Sequence, residues 1–93
     1  MSNVLCGTVS AQGQITSNGN FICRVSNGNT YAIEYNGAAT NPVPVVSLVN
    51  QNPMLTYVLN AYAGGFTLYT YQNVNGTPTP YPTDFNFIVG QIV

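Results

Sequence analysis

The residues that carry most enzymatic chemistry are nearly missing from this sequence. There is no His and no Lys; the charged residues are Arg24, Glu34 and Asp84, with Cys6 and Cys23 as the thiols. Without imidazole no Ser or Cys can be activated by the usual base, and without Lys no Schiff base can form. Acid–base work by a carboxylate pair would need Glu34 and Asp84, which sit on distant segments that nothing in the pattern brings together. Two thiols and two carboxylates show no metal-ligand spacing. A calcium site would have to draw on Asp84 with Asn or backbone oxygens, and no spacing argues for one. The Gly-rich turns precede neither a Lys nor a helix, so they do not match a phosphate loop. The sequence therefore predicts no catalytic residue, no metal and no cofactor.

What remains is contact. The chain has seven Tyr, no Trp and only 3% charged residues, against roughly a quarter in an average soluble domain. Its surface must be built from Asn, Thr, Ser, Gln, Gly and Tyr. A net charge of −1 leaves little repulsion between copies. No basic patch exists to attract nucleic acid or an anionic membrane. The favoured partners are neutral: sugars, other protein surfaces, or further copies of this chain. A Tyr ring offers a large contact area at low entropic cost, with a hydroxyl for specificity. Asn amides suit sugar hydroxyls. The candidate ligand-binding residues are Asn60, Tyr62, Tyr69, Tyr71 and Tyr81. A plainer reading stands beside this one: outward Tyr and Thr are common on any sheet, and such a face also serves as a subunit interface.

The elements that position these residues read as strands. Asn-Gly, which suits tight hairpin turns, occurs at Asn18-Gly19, Asn27-Gly28, Asn36-Gly37 and Asn75-Gly76. Ala11-Gln12-Gly13-Gln14 is a weaker turn signal. Segments 4–10, 14–17, 20–26, 30–36, 44–50, 55–62, 65–72 and 84–92 are rich in β-branched and aromatic residues. None has helical periodicity. Tyr31, Ile33 and Tyr35 share one face, as do Phe66 with Leu68 and Phe85 with Phe87 and Val89. Tyr69 and Tyr71 then point outward, and Val58, Asn60 and Tyr62 share a face of their own segment. About eight short strands predict an all-β antiparallel sandwich, jelly-roll-like, in one domain spanning residues 1–93. Disorder is disfavoured, since it needs low hydrophobicity and high charge.

Asn41-Pro42-Val43-Pro44 is expected to be an edge or a crossover. The stretch 73–83, with Pro78, Pro80 and Pro82, is expected to project as an extended, stiff loop. Arg24 and Glu34 should form a cross-strand ion pair. Cys6 and Cys23 should lie two strands apart, beyond disulfide reach, as small buried thiols; a single disulfide between them, which would imply an oxidising compartment, is the lesser reading. A domain this small is marginal alone, and oligomerisation is a common remedy. The N-terminus lacks a basic start and a long apolar run, so no signal peptide is expected, and no segment is long enough to span a bilayer as a helix. Folding in the cytoplasm, with release by lysis or within a virion, fits that pattern.

Several segments follow a family order: Gly7-Thr8-Val9, Gly13-Gln14-Ile15, Asn20-Phe21-Ile22-Cys23-Arg24, Tyr31-Ala32-Ile33-Glu34-Tyr35, Pro44-Val45-Val46, Gly65-Phe66-Thr67-Leu68-Tyr69-Thr70 and Asp84-Phe85-Asn86-Phe87-Ile88-Val89-Gly90. This order resembles small β-sandwich domains at the tips of phage tail fibres and in bacterial surface proteins. The second half is also similar to the H-type lectins. The closing strand lacks the Trp of those lectins and reaches Gly90 one residue early, so no sugar-site residue carries over. The resemblance implies a homotrimer that recognises a neutral glycan or another cell-surface receptor in adhesion. The near absence of charge equally suits a self-assembling subunit of a filament, shell or inclusion.

Overall fold

The computed structural model describes residues 5–16, 21–35 and 42–91. Their backbone forms eight strands: β1 (Leu5–Val9), β2 (Phe21–Ser26), β3 (Thr30–Tyr35), β4 (Pro42–Leu48), β5 (Leu55–Tyr62), β6 (Gly65–Val74), β7 (Thr77–Pro80) and β8 (Phe85–Gln91). They make two antiparallel sheets, β1-β8-β4 and β2-β3-β6-β5, with β7 also on β6. The fold is the expected all-β sandwich. Strand β6 is the spine of the larger sheet. Along one edge it pairs with β5 over its first eight residues. Along the other it pairs first with β3 and then with β7.

The core follows from period-2 alternation. Tyr31, Ile33 and Tyr35 on β3, Phe66 and Leu68 on β6, and Phe85, Phe87 and Val89 on β8 are all buried, together with Val9, Phe21 and Val46. Fully burying one such apolar side chain contributes about 1.5–3 kcal/mol. Phe87 lies at the centre, edge-on to Phe21 at 4.8 Å and to Phe66 at 5.1 Å between ring centroids. Phe21 arrives from the opposite sheet directly over Gly7, where any side chain would meet its ring. Gly65 is needed for a similar reason: a Cβ there would run into the Ile33 carbonyl oxygen.

The turns behave as their sequences demand. Asn75-Gly76 closes the β6–β7 hairpin with φ of 51° and 82°, the doubly positive pair of a type I′ turn. Asn27 and Gly28, between β2 and β3, are positive as well, at 52° and 75°. Asn18-Gly19 and Asn36-Gly37 lie outside the described residues. The segment expected at 14–17 reduces, in its described part, to a single bridge between Val9 and Ile15.

One expectation about proline is corrected and one is met. The stretch 73–83 is not a free loop, because β6 runs on to Val74 and Thr77–Pro80 folds back onto it. The Tyr81 N–H donates to the Thr70 carbonyl, so alternate positions 79 and 77 face β6 while 78 and 80 face away. Pro78 and Pro80 therefore lack an N–H only where no partner strand would accept it. Strand β4 begins at Pro42, two residues before the expected start, and lies at the edge of its sheet, as expected. The Val49 N–H donates to Asp84 O, which assigns odd positions of β4 to β8 and points the nitrogens of Pro42 and Pro44 outward. This is the edge placement proline tolerates.

Cys6 and Cys23 are free. The expectation that both are buried fails for Cys6, which is exposed: Gly7 and Val9 take β1's inward positions, so Cys6 takes an outward one. Cys23 is half-buried against the core, and burial pushes its thiol up to about 11. Arg24 Nη1 lies 3.1 Å from Glu34 Oε1 across β2 and β3, as expected. Both side chains are well exposed, so the pair contributes little.

Candidate binding face

The β5–β6 register sets Thr56 opposite Tyr71, Val58 opposite Tyr69, Asn60 opposite Thr67 and Tyr62 opposite Gly65. The alternate β6 residues Phe66, Leu68 and Thr70 are buried, so these pairs stand on the outer side of the sheet. Asn60, Tyr62, Tyr69 and Tyr71 thus share one face on two adjacent strands. Opposed side chains are about 4.5–5.5 Å apart at Cβ, and from Thr56 to Tyr62 the face runs roughly 20 Å at ~3.4 Å per residue. Val58 and Tyr62 are 55% and 44% exposed, while Tyr69 and Tyr71 are half-buried. The hydroxyls of Tyr62 and Thr67 are 3.4 Å apart, and either can donate. Thr30 and Pro80 extend the face on the far side of β6, opposite Tyr69 and Tyr71. The charges of this sheet, Arg24 and Glu34, pair with each other on β2 and β3. Asp84 accepts the Ala11 N–H at 2.7 Å elsewhere. No residue of β5 or β6 is charged, but Glu34 stands on the same outer side, opposite Gly65 and in the row of Tyr62, where it pairs with Arg24.

Tyr81 does not join this group. Its N–H donates to Thr70 O at 3.2 Å, and the Thr70 hydroxyl donates to Tyr81 O at 2.6 Å. Tyr81 therefore falls opposite Thr70, on the parity opposite to that of Tyr69 and Tyr71. A free loop could have presented Tyr81 anywhere. A strand that pairs with β6 assigns it a side.

Sequence reasoning missed the polar layer beneath the face. Asn29, Thr70 and Thr83 are buried. Asn29 Nδ2 donates to Thr70 O at 2.8 Å, and the Thr70 N–H returns a bond to Asn29 O at 3.0 Å. This closes the gap along β6 where β3 ends and β7 begins. The Tyr31 hydroxyl donates to Ala11 O at 2.8 Å and accepts the Thr83 N–H at 3.2 Å. Burial raises the Tyr31 pKa, and the Thr83 hydrogen bond opposes the rise. The signal that could have pointed here is Thr70 itself, a hydroxyl at the next inward position after Phe66 and Leu68. These bonds tie the β6 backbone between Tyr69 and Tyr71 to the segments on either side of it.

The opposite side of the sandwich is different. Val43, Val45 and Ile88 are exposed there, and an open depression of about 190 Å³ is lined by Val45, Ser47, Asn86, Phe87 and Ile88. It is shallow and almost wholly apolar, with little to orient a ligand. Among the described residues no three His, Cys, Asp or Glu side chains gather to hold a metal, and no helix is long and apolar enough to cross a membrane. The β5–β6 face offers ring surface, amide and hydroxyl groups to an uncharged partner. Compared with protein-family models, with curated proteins and with solved structures, the chain matches none.

Proposed function

We propose that this protein is a non-enzymatic binding module that takes a neutral carbohydrate, free or displayed on a cell surface, on the outward face of β5 and β6. The observation that carries this reading is the convergence of Asn60, Tyr62, Tyr69 and Tyr71 on one face of two adjacent strands that carry no charge. Aromatic rings stack on the apolar side of a pyranose, and amides and hydroxyls serve its hydroxyl groups. The charges beside the face, Arg24 and Glu34, already pair with each other. The resemblance of the order of sequence segments to phage tail-fibre tips, and of the second half to the H-type lectins, supports the same reading. A glycan array probed with the native protein tests it. Binding should be saturable, insensitive to salt between 50 and 500 mM, and weakened at least tenfold by Tyr69→Ala or Tyr71→Ala. Absence of any hit at millimolar sensitivity, across glycans of diverse origin, overturns it.

A second reading, a structural self-assembling subunit, is favoured by a different observation. Only 3% of the residues are charged, so little repulsion keeps copies apart at any surface. Electron microscopy of concentrated protein separates the two: ordered polymers favour assembly, and discrete small particles favour the binding module.

A further inference from the structure

The sandwich has several exposed strand edges, and hydrogen-bond parity shows how each is treated. Unpaired edges invite pairing with other chains, and proteins blunt them with proline, charge or a covering loop. On β4, Pro42 and Pro44 take outward-pointing positions, as Pro78 and Pro80 do on β7. Beside β1 runs the segment after the Ser10–Gln14 turn, with the Thr16 N–H donating to Thr8 O. On β2 the edge is crowded by Gly13, which lies against Val25 and Cys23, and β2 carries Arg24. Among the described residues, β5 alone has none of these guards.

The open groups on β5 can be named. The Asn73 N–H donates to Met54 O, so even-numbered residues of β5 bond to β6 and odd-numbered ones point their N–H and C=O away from it. The Leu55 N–H is already used by Asn52 O. The donors left facing outward are those of Tyr57, Leu59 and Ala61. Their side chains lie on the inner side of the sheet, where the Tyr57 hydroxyl donates to Val46 O of β4 at 3.4 Å. Tyr57 is 42% exposed, Ala61 is exposed and Leu59 is half-buried.

We infer that a second copy of this chain pairs its own β5 antiparallel to this edge, about a two-fold axis through Leu59. The donors are spaced symmetrically about Leu59, so one register satisfies them all. Leu59 bonds its counterpart, and Tyr57 bonds Ala61 of the other copy in both directions. A one-residue slip would set inward side chains against outward ones, and a two-residue slip toward Tyr57 would ask for the Leu55 N–H that Asn52 already holds. A two-fold contact is isologous and closes on itself, so it yields a dimer, not a fibre, and replaces the three-fold assembly that the family resemblance implies. The uncharged strand offers no repulsion to its copy. Tyr57, Leu59 and Ala61 of the two chains cover one another, and the two tyrosine faces become one continuous surface. This pairing does not depend on what that surface binds.

Sedimentation equilibrium without ligand tests it. The wild-type chain should sediment at twice its 9.9 kDa mass. Ala61→Pro removes only an outward N–H, so it should keep the β-sheet circular dichroism and halve the mass. Val58 and Asn60 face each other across the junction on the outer side. Val58→Lys with Asn60→Lys should therefore weaken the dimer at least tenfold, and Val58→Glu with Asn60→Lys should restore it. Val45→Lys, on the opposite sheet, should leave the mass unchanged. A wild-type monomer at 100 μM, a polydisperse ladder of masses, a dimer that the charge pairs do not discriminate, or a dimer lost to Val45→Lys would each overturn the inference. The glycan array is scored on binding and this experiment on mass, so either reading can fail without the other.

Discussion

Gly7 on β1 lies directly under the Phe21 ring of the opposite sheet, and replacing it with Ala tests the packing directly. The added Cβ would lie 2.5 Å from Cε1 and Cζ of Phe21 and 2.9 Å from Cε1 of Phe87. Carbon atoms in good contact stand about 3.5–4.0 Å apart, so the Phe21 ring must retreat by roughly 1 Å. It has little room, being 3% exposed and edge-on to Phe87. Overpacking of this kind costs about 1–3 kcal/mol, although Ala otherwise favours a strand over Gly by ~0.5–1 kcal/mol. A net loss therefore reports the clash itself. For a chain of 93 residues the total stability is about 5–14 kcal/mol. Each kcal/mol lowers Tm by roughly 4–8 °C, so a fall of about 5–20 °C is expected. Phe21→Leu shortens the ring that is in the way and alone costs about 1–2 kcal/mol, a fraction of the ~3–5 kcal/mol for full truncation. Combined, the two changes should cost less than their sum by about 1 kcal/mol or more. Urea melts followed by circular dichroism, with the slope m unchanged, measure all four corners of the cycle. Additivity within about 0.5 kcal/mol, or no net loss from Gly7→Ala, would refute the account of Phe21 packed over Gly7.

Thr70→Val keeps the shape of the side chain but removes the hydroxyl that donates to Tyr81 O; a loss of about 1–3 kcal/mol is expected in urea melts, and a neutral change would mean that the polar layer contributes nothing. Burial pushes Tyr35 up to about 12, against about 10 for an unfolded tyrosine. Its contribution is therefore fully present below pH 10 and lost as pH rises from about 10 to 12, at up to ~1.4 kcal/mol per pH unit; melts at pH 9, 10 and 11 check this, and a flat profile would sink it. The Tyr35 hydroxyl is buried and has no hydrogen-bond partner among the described residues. Tyr35→Phe should thus be neutral or stabilising and should flatten part of the alkaline loss, whereas a loss above about 1 kcal/mol would reveal a partner for the hydroxyl.

How much of the fold is legible in the chain depends on how local the cause is. Alternation along a strand is local, so the residue pattern alone places Tyr31, Ile33 and Tyr35, Phe66 and Leu68, and Phe85, Phe87 and Val89 inward. The same parity puts Tyr69 and Tyr71 outward, and it puts Val58, Asn60 and Tyr62 together. Asn75-Gly76 reads as a turn because its requirement is positive φ in two successive residues. The prolines do not read in the same way. Whether a missing N–H matters depends on which side the neighbouring strand lies, and that neighbour is distant in sequence for Pro42 and Pro44. Tyr81 escapes sequence reasoning for the same reason, since its side follows from pairing with Thr70.

Local chemistry is enough to dictate the all-β class, the inward set of each strand, the turn at Asn75-Gly76 and a surface almost free of charge, because each follows from residue types or from residues near one another in the chain. Only the folded arrangement settles that β1 pairs with β8, that Asn29 and Thr70 bridge β3 and β7, and that, among the described residues, β5 ends the larger sheet with the N–H groups of Tyr57, Leu59 and Ala61 facing outward. Those outcomes are choices among partners far apart in the chain. Period-2 patterning says which face of a strand is apolar and nothing about which strand lies beside it.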